Sequence, residues 1–399
     1  MAQRKSNRPS KFERSYRILE YLKRNTDSEH TITQAMLRRV PGMVEYMGYK
    51  ETFNDTVVNM AMAMNFKEYG VKPRDEWKII FEDFEGEFGD ESELDDSDEE
   101  LDNPPRMRIR GLHYNHTFSY DEINYLIEGI LFSKTLNTET TNQLIKKIEE
   151  NLTTKFYPKG PKKICTVQET VLVDRTVLRE NLLMIQQAID DKVQISFRFN
   201  GYNHKKELKP VRNKRDIVSP YYIVASSGRY YLLACKEIVH DNQTIKNMSI
   251  WRIDLMTEVE IPNRDEVLGK KGIPRVKKDS VENLPNKWSE DFQLSHLNMS
   301  YDKPISIKLK IKSPKKDDDP TERLKVDYTF MYDWFGDTFT YLETEMESPY
   351  DDIVQVICSP YAMVNWALQY SDRVEVLEPV DVRNEVIKKI KKLNNKYGI

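Results

Sequence analysis

Cysteine is scarce. The chain has three, Cys165, Cys235 and Cys358, odd in number and far apart. That argues against a disulfide framework or a cysteine-built zinc site, and makes a reducing cytoplasm the expected setting. Cys235 ends a strand pattern and reads as a small buried apolar residue. Long apolar runs are also missing. No stretch reaches the roughly 18 apolar residues of a membrane span, so no membrane partner is expected. The opening "MAQRKSNRPSKFERSYRILEYL" is basic but has no apolar segment ending in a small-residue cleavage site, so a secretory signal is not expected. The glycines form neither a phosphate loop ending in Gly-Lys-Ser/Thr nor a G-x-S-x-G elbow. His113 and His116 are spaced i, i+3 with no third ligand nearby. "DDSDEE" lacks the glycine and terminal glutamate of a calcium loop, and Asp317-Asp318-Asp319 before Pro320 reads as a turn. No metal, no cofactor and no enzymatic activity are expected.

What the chain does have is uneven charge. Its net charge is −4 over 399 residues, yet residues 1–80 carry 15 Lys+Arg against 10 Asp+Glu. Residues 81–103, "FEDFEGEFGDESELDDSDEELDN", carry 13 acids and no Lys or Arg. With that block set aside the remainder is +9, a balance that suits a polyanion partner. The block reads as a solvated insertion; a sharper alternative is a mimic of nucleic-acid charge that covers the basic face.

Periodicity places the elements. Phe12, Tyr16, Leu19 and Leu22 stand at helical spacing, and a second short helix begins near Ile32 with Thr31 or Thr33 as N-cap. A third, in "KETFNDTVVNMAMAMNFKEYG", has an apolar face of Phe53, Val57, Met60, Ala61 and Met64. A strand follows in "EWKIIFEDF", and a second in "PRMRIRGLHY" alternates Met107 and Ile109 with arginines. Three helices and two strands fit a winged helix-turn-helix over residues 1–116, with the acidic insertion at 82–103 between the strands. On or near its recognition helix, Lys50, Thr52, Asn54 and Asn59 are the candidates for contacting duplex DNA, because asparagine pairs with adenine and lysine with phosphate. Arg106, Arg108 and Arg110 alternate on one wing face and suit the DNA backbone.

Residues 117–165 read as a helical connector, with Ser119 and Glu122 as a capping box. Ile123, Leu126, Ile127, Ile130 and Leu131 form one stripe; Leu144, Ile145, Ile148 and Leu152 form another. It is a connecting or dimer-forming unit, so a homodimer is expected. "TKFYPKGPKKI" reads as a linker. Residues 166–265 give a helix and then short strands at close spacing, as in a small barrel or sandwich, with Asn200-Gly201 as a turn signal. Residues 285–399 mix strands and helices as a small α+β domain, with a strand-turn-strand around "MYDWFGDTFTYLETEM". The fold class is therefore α+β and multidomain.

One hairpin, "SPYYIVASSGRYYLLAC", is rich in groups that touch ligands. Alternation sends Arg229, Tyr231 and Leu233 one way, and Tyr230, Leu232 and Ala234 into the core. Arg252 and Asp254 share a face opposite Trp251, Ile253 and Leu255. Ser219, Tyr221, Arg229, Tyr231 and Arg252 are thereby expected on one polar surface. Arginine there would hold phosphate and tyrosine would stack on a base.

Residues from about 190 to 262 resemble a WYL domain, a small Sm-like or SH3-like β-barrel. Tyr230-Tyr231-Leu232 stands for the naming tripeptide, and "WRIDLM" for the closing Phe-Arg-Leu-Asp-Arg-Ile element, with Met256 replacing its last arginine. The opening strand "ISFRFNGYN" and the proline strand "VSPYYIV" are similar too. "ALQYSDRVEVLEPVDVRNEVIKKI", with Leu377-Glu378-Pro379 and Arg383, resembles the C-terminal extension found beside WYL domains. The N-terminal region is similar to the winged helix of WYL-type transcription regulators, whose Thr-apolar-x-Arg-Asp is here Thr52-Phe53-Asn54-Asp55. The resemblance implies a ligand-responsive, DNA-binding transcription regulator that senses a single-stranded nucleic acid or a nucleotide. The alternative is a nucleic-acid-sensing accessory subunit of a defence or repair system, with the winged helix docking a protein.

Overall fold

The computed structural model describes residues 9–67, 70, 72–82, 109–133, 136–158, 160, 175–262, 272–313, 326–345 and 350–398. Cys165, Asp317-Asp318-Asp319, Arg106, Arg108, Met107 and nearly all of the acidic insertion lie outside them. The chain divides into two compact units, Met1–Leu172 and Val173–Ile399. The architecture is mixed α+β, with eleven α-helices and antiparallel sheets among the described residues.

The first unit opens with α1 (Lys11–Asn25), α2 (Gln34–Arg38), α3 (Val44–Met47) and α4 (Lys50–Asn65). Ser10 caps α1 by accepting from Glu13 N at 3.1 Å, and Thr33 caps α2 by accepting from Met36 N at 3.3 Å. A two-residue antiparallel ladder follows, β1 (Ile79–Ile80) on β2 (His113–Tyr114). Phe53, Val57, Met60 and Ala61 of α4 enter the core as expected, beside Leu37, Ile79 and Leu112. On α1 the stripe differs. Ile18 and Leu22 are buried, whereas Phe12 and Tyr16 stack on each other outside, 79% and 50% exposed. Both stripes have i, i+4 spacing, and periodicity alone does not rank them.

Gly48, between α3 and α4, has φ +56°, and a Cβ placed there would meet Thr52 Cβ at 3.2 Å. Its carbonyl accepts from Arg38 Nη2 at 2.5 Å. Gly48→Ala should therefore cost about 1–2 kcal/mol, measured as a lower urea midpoint for the first unit.

The helical pair α5 (Tyr120–Phe132) and α6 (Thr138–Leu152) completes this unit. The capping box of Ser119 and Glu122 is present. Ile123 and Ile127 pack with Leu131, Ile145, Ile148 and Leu152 around Tyr157, while Leu126 and Leu144 stay exposed. Tyr120 Oη donates to Asp27 Oδ2 at 3.0 Å, which ties the pair to the loop after α1.

The second unit begins with α7 (Arg175–Asp190) and a curled antiparallel sheet, a half-barrel. Its strands are β3 (Ile195–Tyr202), β4 (Leu208–Pro210), β5 (Asp216–Ser226), β6 (Arg229–His240), β7 (Gln243–Arg252) and β8 (Met256–Glu260), in the order β4-β3-β5-β6-β7, with β8 also on β3. Asn200-Gly201 is not the turn. It lies within β3, where Asn200 Nδ2 donates to Leu255 O and Thr257 Oγ1, each at 3.0 Å. The chain turns at Asn203–Lys206 instead, where Asn203 Oδ1 accepts from Lys205 N and Glu207 N.

Both faces of the β5-β6-β7 sheet are covered. Leu232, Ala234 and Trp251 pack with Phe197, Ile195 and Ile185 on one side. Leu233, Cys235, Tyr221, Val224 and Met248 pack on the other with Val276, Val281, Leu284, Phe292 and Met299. Those last five belong to residues 272–299, a run of loop, 3-10 turns and the short α8 (Phe292–Ser295). Burial pushes the Cys235 thiol up to about 11, so it is an inert core thiol.

The remainder is a four-stranded antiparallel sheet, β10 (Thr340–Thr344), β11 (Asp352–Cys358), β9 (Ile305–Ile311) and β12 (Val374–Glu378), in that order. It packs with α9 (Thr329–Phe335), α10 (Pro360–Gln369) and α11 (Val380–Tyr397) around Trp366, Phe335, Met363, Leu309 and Val356. The strand-turn-strand expected here is a helix and one strand. Phe330, Met331, Trp334 and Phe335 recur at helical spacing, and Gly336 ends α9 at φ +55°.

Candidate functional site

Two polar concavities, one in each unit, gather half of the candidate residues. In the first unit, the N-terminal half of α4 and the start of α1 enclose a groove of about 610 Å³. The buried face of α4 carries Phe53 and Val57, so helical geometry turns Asn54 and Asn59 outward. Lys50, Thr52, Asn54 and Asn59 all line this groove, beside Lys11 and Arg14 of α1. Glu51 and Asp55 line it too. Arg110 is exposed and does not line it.

In the second unit, the β5-β6 turn brings a cavity together. Ser227 and Gly228 have φ +49° and +75°, the two-residue hairpin geometry in which both central residues are left-handed. The turn pairs Ser226 with Arg229, and further in Val224 with Tyr231. A cavity of about 520 Å³ opens beside it, lined by Ser226, Ser227, Arg229 and Tyr231 from the hairpin. Gln293, Asn298, Asp333 and Trp334 face them from the α8 region and α9.

The other three hairpin candidates are elsewhere. Ser219 is fully buried, with its Oγ accepting from Val276 N at 3.0 Å. Tyr221 is buried, donates from Oη to Val276 O at 2.7 Å, and has the Arg275 guanidinium 4.9 Å from its ring centre. Burial pushes its phenol up to about 12, so it stays a neutral donor. Arg252 is the register partner of Tyr231 on β7, but its guanidinium grips Asp254 in two bonds, Nε to Oδ1 at 3.1 Å and Nη2 to Oδ2 at 2.5 Å. That carboxylate holds the Arg252 proton more firmly than usual. The single polar surface expected from alternation is thus divided. Arg229 and Tyr231 reach the cavity; Ser219 and Tyr221 fasten Val276 to the sheet, and Arg252 is bound to Asp254.

Alternation failed here because it assumes one open face, and residues 272–299 cover the second. Asp333 and Trp334 were missed with the misread strand; the helical spacing of Phe330, Trp334 and Phe335 was the available signal. His113 Nδ1 pairs with Gly111 O and His116 Nε2 with Thr26 O. Burial lowers the His116 pKa, so that ring is a neutral structural group.

Comparison with known families identifies the half-barrel. Residues 180–261, from within α7 to just past β8, match the family described as WYL domain. This segment is a WYL domain. Its tripeptide position, Tyr230-Tyr231-Leu232, splits between the two cores and the cavity: Tyr231 opens to the cavity, and Leu232 and Tyr230 join the inner core. The cavity therefore has a WYL wall, and its opposite wall comes from residues beyond the matched segment.

Among solved structures, the chain is similar to proteasome accessory factor B/C (PafBC) of Arthrobacter aurescens at 13% identity, over 70% of this chain and 37% of that one, with a TM-score of 0.23. This chain thus spans little more than a third of PafBC. It is similar as well to a CRISPR Cas-related protein at 12% identity, over 69% of this chain and 72% of that one, with a TM-score of 0.31. No curated protein matches.

Proposed function

We propose that the protein is a DNA-binding transcription regulator, acting as a cytoplasmic homodimer, whose WYL domain senses a nucleic-acid or nucleotide ligand. The observation that carries this reading is the groove on α4. Lys50, Thr52, Asn54 and Asn59, chosen for the chemistry of base and phosphate contact, fall on one concave face with Lys11 and Arg14 added to it. The four helices and the β1-β2 ladder support a winged helix-turn-helix in which α4 is the recognition helix. The cavity at Arg229 and Tyr231 supplies a cation and an aromatic ring for a ligand. A ligand there changes DNA binding only if the DNA-competent and incompetent states hold it with different affinity.

Genome-wide binding of the tagged protein, followed by mobility shift on the strongest site at two salt concentrations, tests this. Sharp peaks and binding that survives competitor DNA are expected. Lys50→Ala should weaken binding at every sequence and lower the salt slope by about 1, the signature of one lost phosphate contact. Diffuse, steeply salt-sensitive binding would overturn the regulator reading.

One observation favours a second reading. Glu51 and Asp55 share the groove, and carboxylates beside phosphate are repulsive, whereas they suit a basic protein segment. In that case the first unit docks a protein, and the chain is a nucleic-acid-sensing accessory subunit. It would bind single strands without any duplex preference.

A further inference from the structure

We propose that the cavity between the β5-β6 hairpin and α9 binds a guanine nucleotide unit, and that Asp333 selects the base. The proposal rests on the ligand-sensing reading above and deepens it to a ligand class. The cavity, at about 520 Å³, falls within the usual range for small-ligand sites. Its walls are chemically unequal. Arg229 brings a cation on the WYL side. Asp333 brings a carboxylate on the opposite side and is exposed to solvent. A compact dianion with no donor face would meet repulsion from Asp333, and a simple cation would meet it from Arg229. The complementary ligand carries its anion at one end and a pair of hydrogen-bond donors at the other.

A nucleotide meets that description, and the carboxylate decides which one. Carboxylate oxygens only accept hydrogen bonds. Guanine presents two adjacent donors on its pairing edge, the ring N–H and the amino group, and so matches both oxygens at once. Adenine and cytosine present one amino donor beside a bare ring nitrogen, whose lone pair faces the second oxygen. Uracil and thymine present one N–H flanked by carbonyls. Two aromatic residues, Tyr231 and Trp334, line the cavity. Trp334 is half-buried, with its Nε1 donating to Tyr370 Oη at 2.8 Å and its ring edge-on to Tyr370. Tyr231 has its backbone held in the β6-β7 ladder and its side chain packed against the second core. Both are pre-set, so little side-chain freedom is lost on stacking.

The same chemistry has two sources, a free nucleotide or a guanosine within a single strand. Calorimetry with guanosine, adenosine and cytidine 5′-monophosphates addresses the first. Fluorescence anisotropy with labelled single strands carrying one guanine, or adenine in its place, addresses the second. Guanine is expected to be preferred by about tenfold or more in at least one arm, the discrimination of a good bidentate contact. Asp333→Asn replaces one acceptor with a donor and should bring that preference down to about twofold, with the melting temperature unchanged, because Asp333 is exposed. Arg229→Ala should weaken all bases alike. Equal affinity for guanine and adenine ligands, or a preference that survives Asp333→Asn, overturns the assignment. If binding is base-independent yet lost in Arg229→Ala, the guanine assignment falls and nucleic-acid sensing stands. If nothing binds in either arm, both fall.

Discussion

Asn65→Ala is expected to destabilise the first unit by about 3 kcal/mol. Asn65 ends α4 and is fully buried. Its Nδ2 donates to Ile79 O at 2.7 Å, and its Oδ1 accepts from Lys78 N at 2.8 Å and Ile79 N at 3.2 Å. One side chain thus fastens the C-terminus of α4 to β1 by three bonds, two of them to groups with no access to water. Alanine removes all three and leaves buried polar backbone without these partners. Hydrogen exchange on the full-length protein is the suitable measurement, because it reads the first unit separately from the second. Protection of peptides covering residues 50–82 should fall by about a hundredfold, the ratio that corresponds to this energy. Asn65→Asp is not expected to rescue it, since a carboxylate would face the Ile79 carbonyl with no proton to give. A loss below about threefold would mean that water replaces the side chain at little cost. The substitution also bears on function. The groove residues sit on the other end of α4, and their aim depends on where this helix is anchored.

Nothing in the sequence marks Asn65 as more than a helix end. The bonds it makes are with residues 13 and 14 positions away, across a turn. Local patterns, by contrast, were readable. The Ser119–Glu122 capping box, the α4 face at Phe53, Val57 and Met60, and the stripes at Ile123/Ile127 and Ile145/Ile148 all use spacings within one helix. The strands of the WYL domain were readable from alternation and from the "WRIDLM" element. The site was readable only in part, for a related reason. Leu232 and Leu233 are adjacent and both fully buried, which a one-faced strand does not allow. The cover on the second face comes from Val276, Val281, Leu284 and Phe292, a stretch with 3-10 turns and neither helical nor strand periodicity. Ser219 and Tyr221 have the residue types of a ligand site, yet their hydroxyls are used to hold that cover down. Hydroxyl-rich sequence on a strand is the same whether its partner is a ligand or a remote loop of the chain; only the fold distinguishes the two.

Setting also separates Arg229 from Arg252, and mutating them should give different results. Arg252→Ala is expected to cost about 2–3 kcal/mol of stability, below the 3–5 of a fully buried pair because Arg252 keeps some access to water. Its partner Asp254 is only 6% exposed at the side chain against 32% for Arg252. Truncation therefore leaves the buried Asp254 carboxylate without its guanidinium. Arg252→Lys keeps the charge but loses the paired geometry, and should fall between wild type and alanine. Arg229 is half-buried at the hairpin end and lines the cavity, so Arg229→Ala should weaken ligand binding and lower thermal stability by less than Arg252→Ala does. Both variants should lose ligand response, for different reasons. Arg252 pairs in register with Tyr231, so losing it loosens the strand that presents the tyrosine. A double variant settles the matter. If Arg252 acts by positioning, Arg229→Ala with Arg252→Ala should unfold at or below the midpoint of Arg252→Ala alone, and a ligand concentration that saturates wild type should raise neither midpoint. Should Arg252→Ala retain wild-type stability yet lose the ligand, Arg252 would be a direct contact, and the Asp254 pair would open on binding.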